Sequence, residues 1–162
     1  NLDLVRNFSA TEESVGVMST YFLRLHAVNY NMLSKKSIDT VKREILDRNH
    51  DVGLHFEPSF YRNDDIEKSI ERNLEILSNA LKKEVTKFNI HEPFRTGFDL
   101  KNLIPSKNRC YNSSFFKDFK YLSDSSCNWR EGCFSEHIGK WQKILVLTHP
   151  IWWYNEDPTE NY

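Results

Sequence analysis

Ile66, Ile70, Leu74, Leu77 and Leu81 recur every three or four positions, so the chain from Asp64 onward carries an apolar stripe along about four helical turns. That spacing predicts a helix. A second stripe, Ile38, Val41 and Ile45, predicts a helix over Ser37 to Asp47, with Ser34 or Ser37 as its cap. Between and beyond the helices, five segments rich in β-formers read as strands: Met18 to Leu25, Asp51 to Phe56, Val85 to Ile90, Lys120 to Asp124 and Lys143 to Thr148. Ile144 to Leu147 shows no alternation of apolar and polar positions, the pattern of a parallel strand covered on both faces. Glu131 to Trp141 predicts an amphipathic helix and Ser114 to Phe119 a short one. The polar stretch Arg95 to Asn112 predicts an extended loop over the strand ends.

Strands and helices alternate, which implies a parallel sheet with right-handed crossovers, either open or closed into a barrel. No glycine-rich loop follows a strand, and this lowers the standing of a nucleotide-binding version. A Gly-x-Ser-x-Gly elbow is absent too, which sets aside a serine hydrolase. At 162 residues, one domain is expected over 1–162. The first residue is Asn and the last segment stops soon after a strand, so both ends read as truncated.

Charge changes the picture mainly by exclusion. Basic and acidic residues are interspersed and nearly balanced, with a formal charge of −1, so no nucleic-acid partner is expected. No apolar run is long enough to span a membrane, and no signal-peptide pattern opens the chain. Cys110, Cys127 and Cys133 lack paired spacing, which suits reduced thiols in a cytoplasmic setting.

The candidate chemistry lies at the strand ends. Four predicted strands finish at His26, His55, His91 and His149, and in parallel β/α proteins these ends converge on the functional face. His50 precedes its strand and belongs to the opposite face, where a preceding helix C-terminus favours it. Trp152 and Trp153 read either as the floor of a sugar subsite or as packing. Asp124 and Arg130 read either as groups that orient a histidine or substrate, or as a surface ion pair.

Gly53-Leu54-His55-Phe56, His91-Glu92-Pro93, Tyr121-Leu122-Ser123-Asp124 with Trp129-Arg130-Glu131, and Leu147-Thr148-His149-Pro150-Ile151-Trp152-Trp153 occur in this order. In that order the chain resembles a divergent branch of the polysaccharide deacetylases from about Met18 to Trp153. The resemblance implies a distorted or partial (β/α) barrel of parallel strands around one divalent metal, usually zinc. The metal polarises the carbonyl of an acetylated saccharide or polysaccharide and activates water. His55 stands at a ligand position, and His149 at that of the acid that protonates the leaving group. The family's second histidine is replaced by Ser59, which leaves Glu57 or His91 to complete the ligand set. The N-terminal strand that ends in an aspartate pair is missing, and only Asp3 lies nearby. His26, Asp124, Arg130, Trp152 and Trp153 are the candidate substrate-binding residues. The rival expectation is a non-catalytic carbohydrate-binding or scaffold protein that keeps the barrel.

Overall fold

Ser34 and Asp65 start the two helices that the apolar stripes predict. In the computed structural model, which describes residues 2–61, 65–92 and 119–153, the Ser34 hydroxyl accepts the Ser37 N–H at 3.2 Å and the Asp65 carboxylate accepts the Lys68 N–H at 3.3 Å. Each satisfies a backbone donor that the first helical turn leaves unpaired. Helix α2 spans Lys35–Glu44 and α3 spans Ile66–Leu81. The first starts before the predicted Ser37 and stops before the predicted Asp47, because a 3-10 turn at Leu46–Arg48 takes over after Ile45. Asn49, at φ 62°, then turns the chain into the next strand; asparagine tolerates this left-handed conformation better than most residues. A further helix, α1, spans Leu2–Ser14, a segment to which the apolar pattern assigns no element. Asp3 lies within that helix.

The chain divides into two compact units, Asn1–Cys110 and Tyr111–Tyr162. In the first, β1 (Thr20–Leu23), β2 (Asp51–Phe56) and β3 (Phe88–Ile90) form a parallel sheet in that order. Phe22 pairs with Gly53, and His55 pairs with Asn89. Glycine at position 53 is a packing requirement: a Cβ there would sit 2.5 Å from the Phe22 ring. Val52, Leu54 and Phe56 of β2 pack with Val41 and Ile45, with Ile70, Leu77 and Leu81 of α3, and with Val5 of α1 in one buried cluster. Full burial of each such side chain contributes about 1.5–3 kcal/mol, which explains why a three-strand sheet holds.

His50 departs from the helix-terminus role expected of it. It is buried; its Nδ1 accepts the Ser19 N–H at 3.2 Å, and its Nε2 donates to the Ser9 carbonyl at 3.1 Å. One neutral tautomer therefore clamps α1 to the start of β1.

In the second unit, β4 (Lys120–Ser123) and β5 (Ile144–Leu147) pair in parallel, with Ser123 opposite Leu147. The helix predicted over Glu131 to Trp141 is not formed. Only a 3-10 turn at Phe134–His137 appears, between Gly132 (φ 86°) and Gly139 (φ 80°), whose left-handed backbones end any helical run. Strand β2 has its predicted bounds and the other four are trimmed by one to three residues at one or both ends, while β5 is half-buried with Val146 exposed rather than covered on both faces. Lys87 lies just before β3, yet its carbonyl still accepts the Leu54 N–H at 2.9 Å. The predicted loop over Arg95 to Asn112 and most of the short helix over Ser114 to Phe119 lie outside the described residues. The class is α/β with parallel sheets of three and two strands, and no closed barrel is formed among the described residues. Among those residues no helix is long and apolar enough to cross a membrane.

Candidate functional site

Parallel pairing aims the ends of β1, β2 and β3 the same way, so the residues that follow them share a rim. Glu57, just after β2, is buried with its side chain 4% exposed, and its Oε1 pairs with the Arg24 guanidinium. That carboxylate holds Arg24 above its ordinary pKa, against the opposing effect of burial. The Arg24 N–H donates to the Tyr30 hydroxyl at 3.1 Å, which fixes the chain as it leaves β1. Next to it, His26 is exposed; its ring stacks on Phe60 with centroids 4.6 Å apart, and its Nε2 lies 2.8 Å from the Tyr61 hydroxyl. Asn73 of α3 donates to the same hydroxyl at 2.9 Å.

His55 and His91 meet on this rim as a hydrogen-bonded pair, with His55 Nε2 3.0 Å from His91 Nδ1 and the rings nearly perpendicular. The other ring nitrogen of His55 bonds to Asn89 Oδ1. Burial pushes the His55 pKa down to about 4, opposed by the Asn89 hydrogen bond and reinforced by the charge of His91. His55 is therefore neutral at pH 7. Asn89 Oδ1 only accepts, so Nδ1 of His55 carries the proton, and Nε2 accepts from His91.

A group that stays neutral in the fold but protonates near 6.5 in the unfolded chain binds protons preferentially when unfolded. Its stabilising effect is whole above about pH 6.5 and is lost as the pH falls toward about 4. Urea midpoints measured across that window should fall on acidification, and His55→Asn should flatten the decline. An equally steep decline in the variant would show that other groups carry it.

The zinc site implied by the resemblance requires three or four ligands at about 2.0–2.3 Å. The rim does not fit it. Both ring nitrogens of His55 are occupied by protein partners, and Glu57 Oε1 pairs with Arg24, which leaves the buried Glu57 Oε2 as a single oxygen rather than a ligand set. Among the described residues no group of three or more His, Cys, Asp or Glu is placed to hold a metal ion.

In the second unit the chemistry is concentrated on one carboxylate. The Asp124 N–H donates to the Leu147 carbonyl at 3.2 Å, extending the β4–β5 ladder and placing Asp124 beside the chain that leaves β5. Asp124 is 2% exposed. Its Oδ1 accepts the His149 Nδ1–H at 2.6 Å, and both oxygens lie 3.0 Å from the His149 backbone N–H. After His149 a 3-10 turn at Pro150–Trp152 folds the chain back, and the Trp153 N–H donates to the Pro150 carbonyl at 3.1 Å. The turn brings the Trp153 indole N–H to Asp124 Oδ2, at 2.7 Å. Burial alone would raise the Asp124 pKa. The hydrogen bonds from the His149 ring and backbone and from Trp153 outweigh it and hold the carboxyl below its ordinary value. Asp124 is therefore an anion at neutral pH.

With Nδ1 committed as a donor, neutral His149 keeps its lone pair on Nε2. Its side chain is 40% exposed, so solvent reaches it. Trp153 is 47% exposed and meets Trp129 edge to face, with centroids 6.5 Å apart.

The structure thus places His26, His55 and His91 on one rim and joins Asp124, His149 and Trp153 in one network. Arg130 is exposed and Trp152 is half-buried. Of the two readings of Asp124, the surface ion pair is excluded by its burial. Sequence reasoning missed Asn89 and the Arg24–Glu57 pair. A polar residue at the centre of Phe88-Asn89-Ile90, a wholly buried strand, was the available signal for the first. Comparison with family models, curated proteins and solved structures returned no match.

Proposed function

We propose that the protein is a hydrolase of the polysaccharide-deacetylase type, which removes acetyl groups from a saccharide with His149 as its proton carrier. The observation that carries this reading is the buried, ionised Asp124 bonded to Nδ1 of a solvent-accessible histidine. A carboxylate in that position holds the imidazole in one tautomer and stabilises the imidazolium that forms when Nε2 takes a proton. In the proposed reaction, Nε2 accepts a proton from the water that attacks the acetyl carbonyl. The same proton then passes to the departing amine or alkoxide, and acetate leaves. A distorted or partial (β/α) barrel, the fold that the resemblance implies, is part of this proposal. Zinc is given no step, since the rim around His55 does not fit it.

A second reading, a carbohydrate-binding or scaffold protein without turnover, draws on the rim of the first unit. There His26 stacks on an exposed Phe60, an aromatic surface, and both ring nitrogens of His55 are bonded to protein partners. Acetate release from acetylated oligosaccharides, measured next to their binding by calorimetry, decides between the two. Turnover supports the hydrolase; binding without acetate overturns it in favour of the second reading, and neither overturns both.

A further inference from the structure

The Trp153 side chain has two features that a sugar platform alone does not require. Its indole N–H points at a buried carboxylate rather than at solvent, and its position is set by the turn that begins at His149. An ionised carboxylate offers about four acceptor sites. On Asp124 the His149 ring takes Oδ1, the His149 amide is shared between both oxygens, and Trp153 is the side-chain donor on Oδ2. Among the described residues, deleting that donor leaves Oδ2 with only a share of one amide. The carboxylate then turns about its terminal torsion, which is intrinsically broad and two-fold, and Oδ1 swings away from the imidazole.

We infer that Trp153 is a positioning residue: its indole N–H holds the Asp124 carboxylate in the plane that fixes the tautomer and orientation of His149. The inference rests on the reading of His149 as proton carrier, but its geometric part is measurable without any substrate. It assigns the adjacent tryptophans different tasks. Trp152 is half-buried in the turn, whereas Trp153 donates inward through its N–H and remains partly exposed. The edge contact with Trp129 steadies the indole from the side.

The test uses the full chain with 15N-labelled histidine and 13C-labelled aspartate. In the wild type, neutral His149 should show a protonated Nδ1 and an unprotonated Nε2. Trp153→Phe keeps an aromatic ring and removes the donor; it should move His149 toward a mixture of tautomers and let the Asp124 carboxyl titrate at higher pH. If Trp153→Phe fails to fold, replacing Trp153 with benzothienylalanine, which has the indole shape without the N–H, gives the same measurement. With acetylated oligosaccharide, kcat should fall about tenfold at unchanged KM, the pattern of lost transition-state organisation. An unchanged His149 tautomer in either variant overturns the inference. Absence of acetate release by the wild type would sink the hydrolase reading alone, since the tautomer measurement stands without it.

Discussion

His149→Ala is expected to lower acetate release by about 10²–10⁴-fold, the usual contribution of a positioned general acid or base. The loss should fall on kcat, because in the proposed reaction the proton moves only as the carbonyl is attacked and the leaving group departs. The fold should survive: the side chain is 40% exposed, and the backbone N–H that holds Asp124 is retained in alanine. Circular dichroism and the urea midpoint should therefore stay near wild type while turnover collapses. Turnover within twofold of wild type would remove His149 from the reaction. Asp124→Asn refines the result, since an amide in place of the carboxylate no longer stabilises the imidazolium and can present an N–H to Nδ1, the wrong partner for a protonated nitrogen. Its rate should lie between those of wild type and His149→Ala.

Arg24→Met is expected to destabilise the protein by ~3 kcal/mol, because it strands the Glu57 carboxylate in a site where its side chain is 4% exposed. The arginine itself is 31% exposed, so water softens the effect relative to a wholly interior pair. Much of the loss reflects the unpaired anion rather than the worth of the bridge. Arg24→Met/Glu57→Met should accordingly recover stability to within ~1 kcal/mol of wild type, as replacement of buried pairs by packed apolar groups commonly does. Urea denaturation of the three proteins measures both steps. If the single variant matched the wild type, Glu57 would be solvated or neutral and the rim would not be organised by this pair. Loss of the pair should also loosen the segment after β1, where Arg24 and Tyr30 are bonded through the backbone.

How much of this was legible can be judged element by element. Helix α3 is legible because five apolar side chains at helical spacing, Ile66 to Leu81, leave no strand alternative, and Asp65 caps it. Strand β2 was also placed correctly, since its β-branched and apolar residues follow a turn. The Glu131 to Trp141 segment shows the opposite case. Its apolar positions suit a helix, but Gly132 and Gly139 take left-handed backbones, and the segment makes only one 3-10 turn. Helix α1 went unseen because its stability is tertiary: Leu4 and Val5 are buried, and His50 grips its Ser9 carbonyl from a distant position.

The candidate site divides in the same way. Strand-end histidines are visible in sequence because local β-propensity and the position of the strand end are local properties. The amino-acid sequence by itself determined the α/β alternation, the two apolar helical faces, the neutral charge balance and the presence of histidines at the ends of parallel strands. Only the tertiary structure decided which partners those histidines have: Asn89 and His91 for His55, and Asp124 with Trp153 for the network around His149. The reason is physical. A protonation state depends on burial and on donors and acceptors 25 to 36 positions away along the chain, and strand register, not sequence spacing, brings those groups within hydrogen-bonding distance.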